Sequence, residues 1–354
     1  FDGTNTLISS GGDAGDAITD GTNNIFIGED AGGAMTVGDH NVAIGHDAFN
    51  AATTGTGVNN NIAIGQDAMG TGVVTGASNT AIGQLTGNDL TSGFKNILIG
   101  DSAGANLNTG ASNIVLGQNA LDASEGPDTT IAIGVNTMGV GVVTGADNIA
   151  IGQLAGNDIT SAASSVFIGK SAGANTTSGG YSVAIGQQAM GIGVTTGADN
   201  VCIGREAGAD LTGGVSNVFL GVLAGTNATG NNMVAIGNSA GSGNTTIDDC
   251  VLIGKLAGVG LTDGNRNIMI GRSTGPTVDG GARNTYIGDA AGNSGVGGAN
   301  NTCIGATAEL SSSSAANEAT FGNTSVSTSR VQVDWTVLSD ERDKANIESL
   351  AEGS

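Results

Sequence analysis

An Ile-Gly pair returns about every seventeen residues along almost the whole chain. Its glycine falls at 28, 45, 65, 83, 100, 117, 134, 152, 169, 186, 204, 221, 237, 254, 271, 288 and 305, with a degenerate eighteenth copy at Gly322 in "TFGN". Most steps are 17 residues; the exceptions are one of 16, three of 18 and one of 20, between Gly45 and Gly65. A period this tight implies one architecture built by stacking. Each copy is too small to bury an apolar face alone, so the copies must bury it against one another.

The columns of the repeat say what each copy is. The residue before the glycine is Ile, except Leu116 and Leu220, and the residue three before it is always Ile, Val or Thr. Branched residues at alternate positions share one face of a strand. The segment is too short and too punctuated by glycine for a helix. The fold expected is therefore all-β, a parallel β-roll or β-solenoid of 17-residue coils, with an Ile/Val/Ala core and glycines at the corners. Four residues before the glycine stands Asn in twelve of seventeen copies. That column reads either as a ladder of side-chain amides or as a set of Asx turns.

The residue between the two branched positions points to the opposite face. It runs from Phe26, Ala43 and Ala63 to Tyr286 and Cys303, and none of the seventeen is charged. A strand apolar on both faces is buried on both. The reading is that the branched pair fills the coil and this middle column, seven times Ala, faces further copies of the chain, giving a homotrimer. The competing arrangement is a wider monomer with a second internal layer.

Composition excludes other classes. The chain has 354 residues with 64 glycines and only 2 prolines, which rules out collagen; the apolar fraction, 38%, is too high and too periodic for disorder. A net charge of −22, with no Lys or Arg in residues 1–94, opposes nucleic-acid binding. No apolar run approaches the length of a membrane span, so no membrane insertion is expected. The chain begins at Phe1 without a leader or initiator Met, and reads as lacking its true start. Cys202 and Cys303 occupy the middle column and Cys250 the Asn column; none has metal-ligand spacing, so they read as structural. His40 and His46 read as surface residues. Asp89, Asp158 and Asp210 recur in "GNDLT", "GNDIT" and "GADLT", and read as solvated turns before calcium ligands. No cofactor and no metal are expected.

The wording "NxAIGxxAG" resembles the head repeats of trimeric autotransporter adhesins and the repeats of phage tail fibres, over roughly residues 24–322. In the adhesins such repeats form a left-handed β-roll that trimerises. The coil here, at 17 residues, is longer than the usual adhesin coil. Residues 1–23 read as a partial coil and 323–338 as a connection, with Val331, Val333, Trp335 and Val337 alternating as a strand over 330–338.

Beyond it, Ser339-Asp340-Glu341-Arg342-Asp343-Lys344 followed by Asn-Ile resembles the start of the endosialidase-type intramolecular chaperone, a self-cleaving serine peptidase at the end of phage fibres and tail spikes. The resemblance implies Ser339 as nucleophile, Lys344 as its base and a cut between Leu338 and Ser339. Residues 339–354 cover only the beginning of such a domain. The bland alternative is a helix N-cap with a charged first turn. Together these readings imply a structural fibre, the shaft of a phage tail fibre in the virion. Its partners would be two further copies and a host cell-surface glycan or protein. The alternative is a bacterial surface adhesin. An ice-binding array is disfavoured because the threonines stand at corners. A polysaccharide-cleaving enzyme is disfavoured because no copy departs far enough from the repeat to carry a paired-carboxylate loop.

Overall fold

A computed structural model describes residues 6–8, 12–50, 58–243, 246–275, 280–293 and 297–328. Within them the chain is a β-solenoid. Nineteen three-residue strands, from β1 (Thr6–Ile8) and β2 (Ile25–Ile27) to β18 (Thr302–Ile304) and β19 (Ala319–Phe321), form a single parallel sheet in sequence order. The degenerate copy at Gly322 is thus a genuine coil, since β19 pairs with β18.

The register is column on column. Val42 pairs with Ile62, Ala43 with Ala63 and Ile44 with Ile64. The main chain bonds from coil to coil on either side of each strand: Ile25 N–H donates to the Asn41 carbonyl (2.9 Å) and Gly45 N–H to the Ile27 carbonyl (2.8 Å). At the corner the glycines stack on one another. Gly100 has φ +136°, and a Cβ there would lie 2.7 Å from the main chain of Gly117. Both the backbone angle and the close approach demand glycine.

One expectation is reversed. The middle residue of each strand is the core, and the branched pair faces outward. Phe26, Ala43, Leu98, Ala150, Phe167, Ala184 and Tyr286 are fully buried, whereas Ile97, Ile99 and Leu220 are about two-fifths exposed. The physical reason lies in the rest of the coil. Its opposite wall already supplies the buried Ala or Thr column three residues after the glycine, together with Met35, Leu90, Leu107 and Leu211. The space left opposite the strand takes one side chain per coil, not two.

That space is filled by size compensation between the middle column and the residue six further on. Ala43, Ala63, Ala132 and Ala184 are followed by Phe49, Met69, Met138 and Met190, all fully buried. Phe26, Phe167, Phe219 and Tyr286 are instead followed by Gly32, Gly173, Gly225 and Gly292, where an added Cβ would lie within 2.5 Å of the ring. Cores tolerate neither voids nor excess volume, and this pairing keeps the sum steady.

The Asn column is a ladder. Asn113 N–H donates to Asn96 Oδ1 (3.0 Å), Asn113 Nδ2 donates to the Pro127 carbonyl (2.8 Å), and Thr130 N–H donates to Asn113 Oδ1 (2.8 Å). Where Asn is absent, Ser165 and Ser182 keep the run going: Ser182 N–H donates to Ser165 Oγ and Asn200 N–H to Ser182 Oγ, both at 3.2 Å. Asn113→Leu leaves the Thr130 N–H and the Pro127 carbonyl without these partners, at about 1–3 kcal/mol for each buried group stranded. Amide exchange at Thr130 should accelerate strongly in that variant and far less in Asn113→Ser. Equal exchange in the two variants would show that the ladder contributes nothing.

Candidate functional site

The largest chemical feature on the surface is the outer face of the sheet itself. Positions one and three of every strand from β2 to β18 are Ile, Val, Leu or Thr, and none is buried. The strands are about 10 Å long and the stack rises about 4.8 Å per coil, so the face measures roughly 80 by 10 Å, about 800 Å². Lone monomers rarely leave an apolar patch larger than a few hundred Å² in water.

Two exposed margins bracket this face. On one side stands the residue just before the Asn column, and on the other the residue just after the corner glycine. The first margin carries Lys95, Asp147, Asp199, Asp249, Arg266 and Arg283; the second carries Glu29, Asp101, Lys170, Arg205, Lys255, Arg272 and Asp289. Residues on the first margin adopt left-handed backbone angles, as at Lys95 (φ +57°) and Asp199 (φ +60°). The ion pairs found among the described residues join chain neighbours or run along a margin. Arg205 meets Glu206 at 2.6 Å, Arg266 meets Asp249 at 3.7 Å, and Arg272 meets Asp289 at 2.7 Å. None of these crosses the face.

Other chemical groups are dispersed. Cys202, Cys250 and Cys303 are buried and free, as expected for structural residues. Burial pushes the Cys303 thiol up to about 11, and raises Cys202 and Cys250 as well. Such thiols are poor nucleophiles and poor metal ligands at neutral pH. His40 and His46 are exposed, as expected. His46 Nδ1 lies 2.9 Å from Asp47 Oδ2, and with Asp67 the ligand atoms fall within 4.8 Å of one another. An imidazole and two carboxylates could hold a divalent cation, but Asp47 Oδ1 already accepts from Asn50 Nδ2 at 2.8 Å. Two hydrogen bonds from Thr22, through its N–H and its hydroxyl, hold the Asp39 carboxyl below its usual range.

Asp89, Asp158 and Asp210 stand four and three coils apart, roughly 19 and 14 Å along the stack, and do not form a common site. Asp89 accepts from the Thr71 hydroxyl at 2.6 Å and Asp158 from Asn157 Nδ2 at 2.9 Å. A recess of about 550 Å³ at the last described coil is lined by Thr307, Glu309, Thr320 and Phe321, with one carboxylate among its walls. Among the described residues no helix is long and apolar enough to cross a membrane. Leu338, Ser339 and Lys344, and the strand expected over 330–338, lie outside the described residues. No protein-family model matches the chain, and no curated protein matches it.

Proposed function

We propose that this chain is the shaft of a fibre assembled from three parallel copies, a phage tail fibre or a related host-attachment appendage. The observation that supports it is the outward apolar face, which repeats on every coil and needs a cover of equal length. A further copy provides that cover. An interface of about 800 Å² per partner is the size of ordinary stable complexes. The choice of a phage fibre rests on the resemblance of residues 339–344 to the start of a self-cleaving chaperone. In that reading the chain acts on no external substrate. Ser339 is the nucleophile, Lys344 takes its proton when neutral, and the bond cut is Leu338–Ser339.

The test uses the chain with residues 339–354 continued by a complete chaperone domain. Mass spectrometry should find a product ending at Leu338, and light scattering should give three times the chain mass. Ser339→Ala, Lys344→Ala and Lys344→Arg should each stay uncut, the last because a guanidinium keeps its proton. All three should still assemble. Cutting in Ser339→Ala would remove the peptidase assignment, and a stable monomer would remove the fibre.

A further inference from the structure

The two margins of the apolar face carry charges that match across it level by level. At the coil of Gly100 the margins are Lys95 and Asp101, and at that of Gly204 they are Asp199 and Arg205. At Gly254 they are Asp249 and Lys255, and at Gly288 they are Arg283 and Asp289. Five coils are charged on both margins, and in four of them the signs are opposite. The fifth, at Gly271, has Arg266 and Arg272, and each of these already holds a carboxylate of the adjacent coil, Asp249 and Asp289 respectively.

Within one chain this match is unused, because the printed ion pairs run along the margins or between neighbours in sequence. It acquires a use once the face is covered. Parallel copies placed around an axis along the fibre bring the first margin of one copy beside the second margin of the next. In a closed ring every copy stands at the same height, so each coil meets its own level.

We infer that the partner on this face is a second copy of the same chain, parallel and in exact coil-for-coil register, with Lys95 facing Asp101, Asp199 facing Arg205, Asp249 facing Lys255 and Arg283 facing Asp289 of the neighbouring copies. This rests on the oligomeric reading above and adds orientation and register to it. The apolar columns cannot supply register, because a slide by one coil sets Ile or Val against Ile or Val again. Charges at the edge of an interface add modest affinity but reject wrong alignments. A slide by one coil in one direction sets Lys255 against Arg266 and Arg272 against Arg283. A slide in the other keeps Arg272 near Asp249 and Asp289 near Arg266, but loses the Lys95–Asp101 and Asp199–Arg205 pairs. An antiparallel copy instead sets each margin against itself.

Crosslinking tests this on the full chain. The three native cysteines are buried and do not compete. The matched variants are Lys95→Cys/Asp101→Cys and Asp199→Cys/Arg205→Cys. The mismatched variant is Lys95→Cys/Arg205→Cys, whose positions stand six coils apart, roughly 29 Å. A bis-maleimide with a spacer of about 10 Å should convert most of each matched variant into covalently closed oligomers on a denaturing gel. The mismatched variant should stay single-chain. If light scattering shows an oligomer while matched and mismatched variants crosslink alike, or neither does, the register is wrong and the oligomer stands. If light scattering shows a monomer, both fall together.

Discussion

Ala150→Asp should open the solenoid around its coil, while Ile97→Asp and Ile99→Asp should leave the coils folded and take the copies apart. Ala150 is fully buried and pairs with Ala132 below and Phe167 above. A carboxylate placed there loses its water and meets only apolar neighbours, a cost of several kcal/mol whether it stays charged or takes up a proton. Solenoid stability is a sum of local coil terms, so the damage should be local. Amide exchange should rise at Ile149, Gly152 and Gly169, whose N–H groups bond to adjacent coils. Ile97 and Ile99 are 43% and 39% exposed, so an aspartate at either position keeps its water in the single chain. It would lose that water only when a second copy covers the face. Light scattering should then report monomers with unchanged exchange protection. The opposite pattern, a folded monomer from Ala150→Asp and unfolding from Ile99→Asp, would mean the sheet is inside out relative to this structure.

The sequence carried the fold because the repeat is strict. A step of 17 residues, branched residues at alternate positions and a glycine at each corner permit little besides a parallel stack, and the nineteen-stranded sheet is that stack. The Asn ladder was one of two open readings, since nothing in a single column says whether an amide bonds within its own turn or to the next coil. The inward and outward faces were misread. Both faces of the strand are apolar, so alternation alone gives no sign. The distinguishing signal was present but spans two columns. Ala43 goes with Phe49 and Ala63 with Met69, whereas Phe26 goes with Gly32 and Tyr286 with Gly292. Compensation of volume at a fixed spacing marks residues that share a closed space, and it marks the middle column as interior. The branched pair shows no such trade, because the solvent face of one chain has no fixed volume. The matched margins were hidden for a related reason. Lys95 and Asp101 become meaningful together only after the strand between them is known to face outward.

The same compensation gives the second large effect. Gly173→Met and Phe167→Ala should each be severely destabilising, and the double variant should be more stable than either single one. Phe167 is fully buried, and a Cβ at Gly173 would lie 2.2 Å from its ring, so methionine there cannot enter. Overpacking of this kind costs roughly 1–3 kcal/mol or more. Phe167→Ala empties the space instead, at about 3–5 kcal/mol. Combined, the two changes rebuild the arrangement of Ala63 with Met69, where methionine occupies the equivalent position at φ +50° and is fully buried. Gly173 already has φ +59°, so the backbone is in the conformation that Met69, Met138 and Met190 adopt. Recovery should stop short of the parent protein, because Phe167 also covers Gly156 in the coil below, where an added Cβ would stand 3.3 Å from the ring. A double-mutant cycle by chemical denaturation should therefore show a favourable coupling of about 2 kcal/mol or more. Losses that simply add would mean that the two positions do not share one space, and the volume argument for the interior face would lose its support.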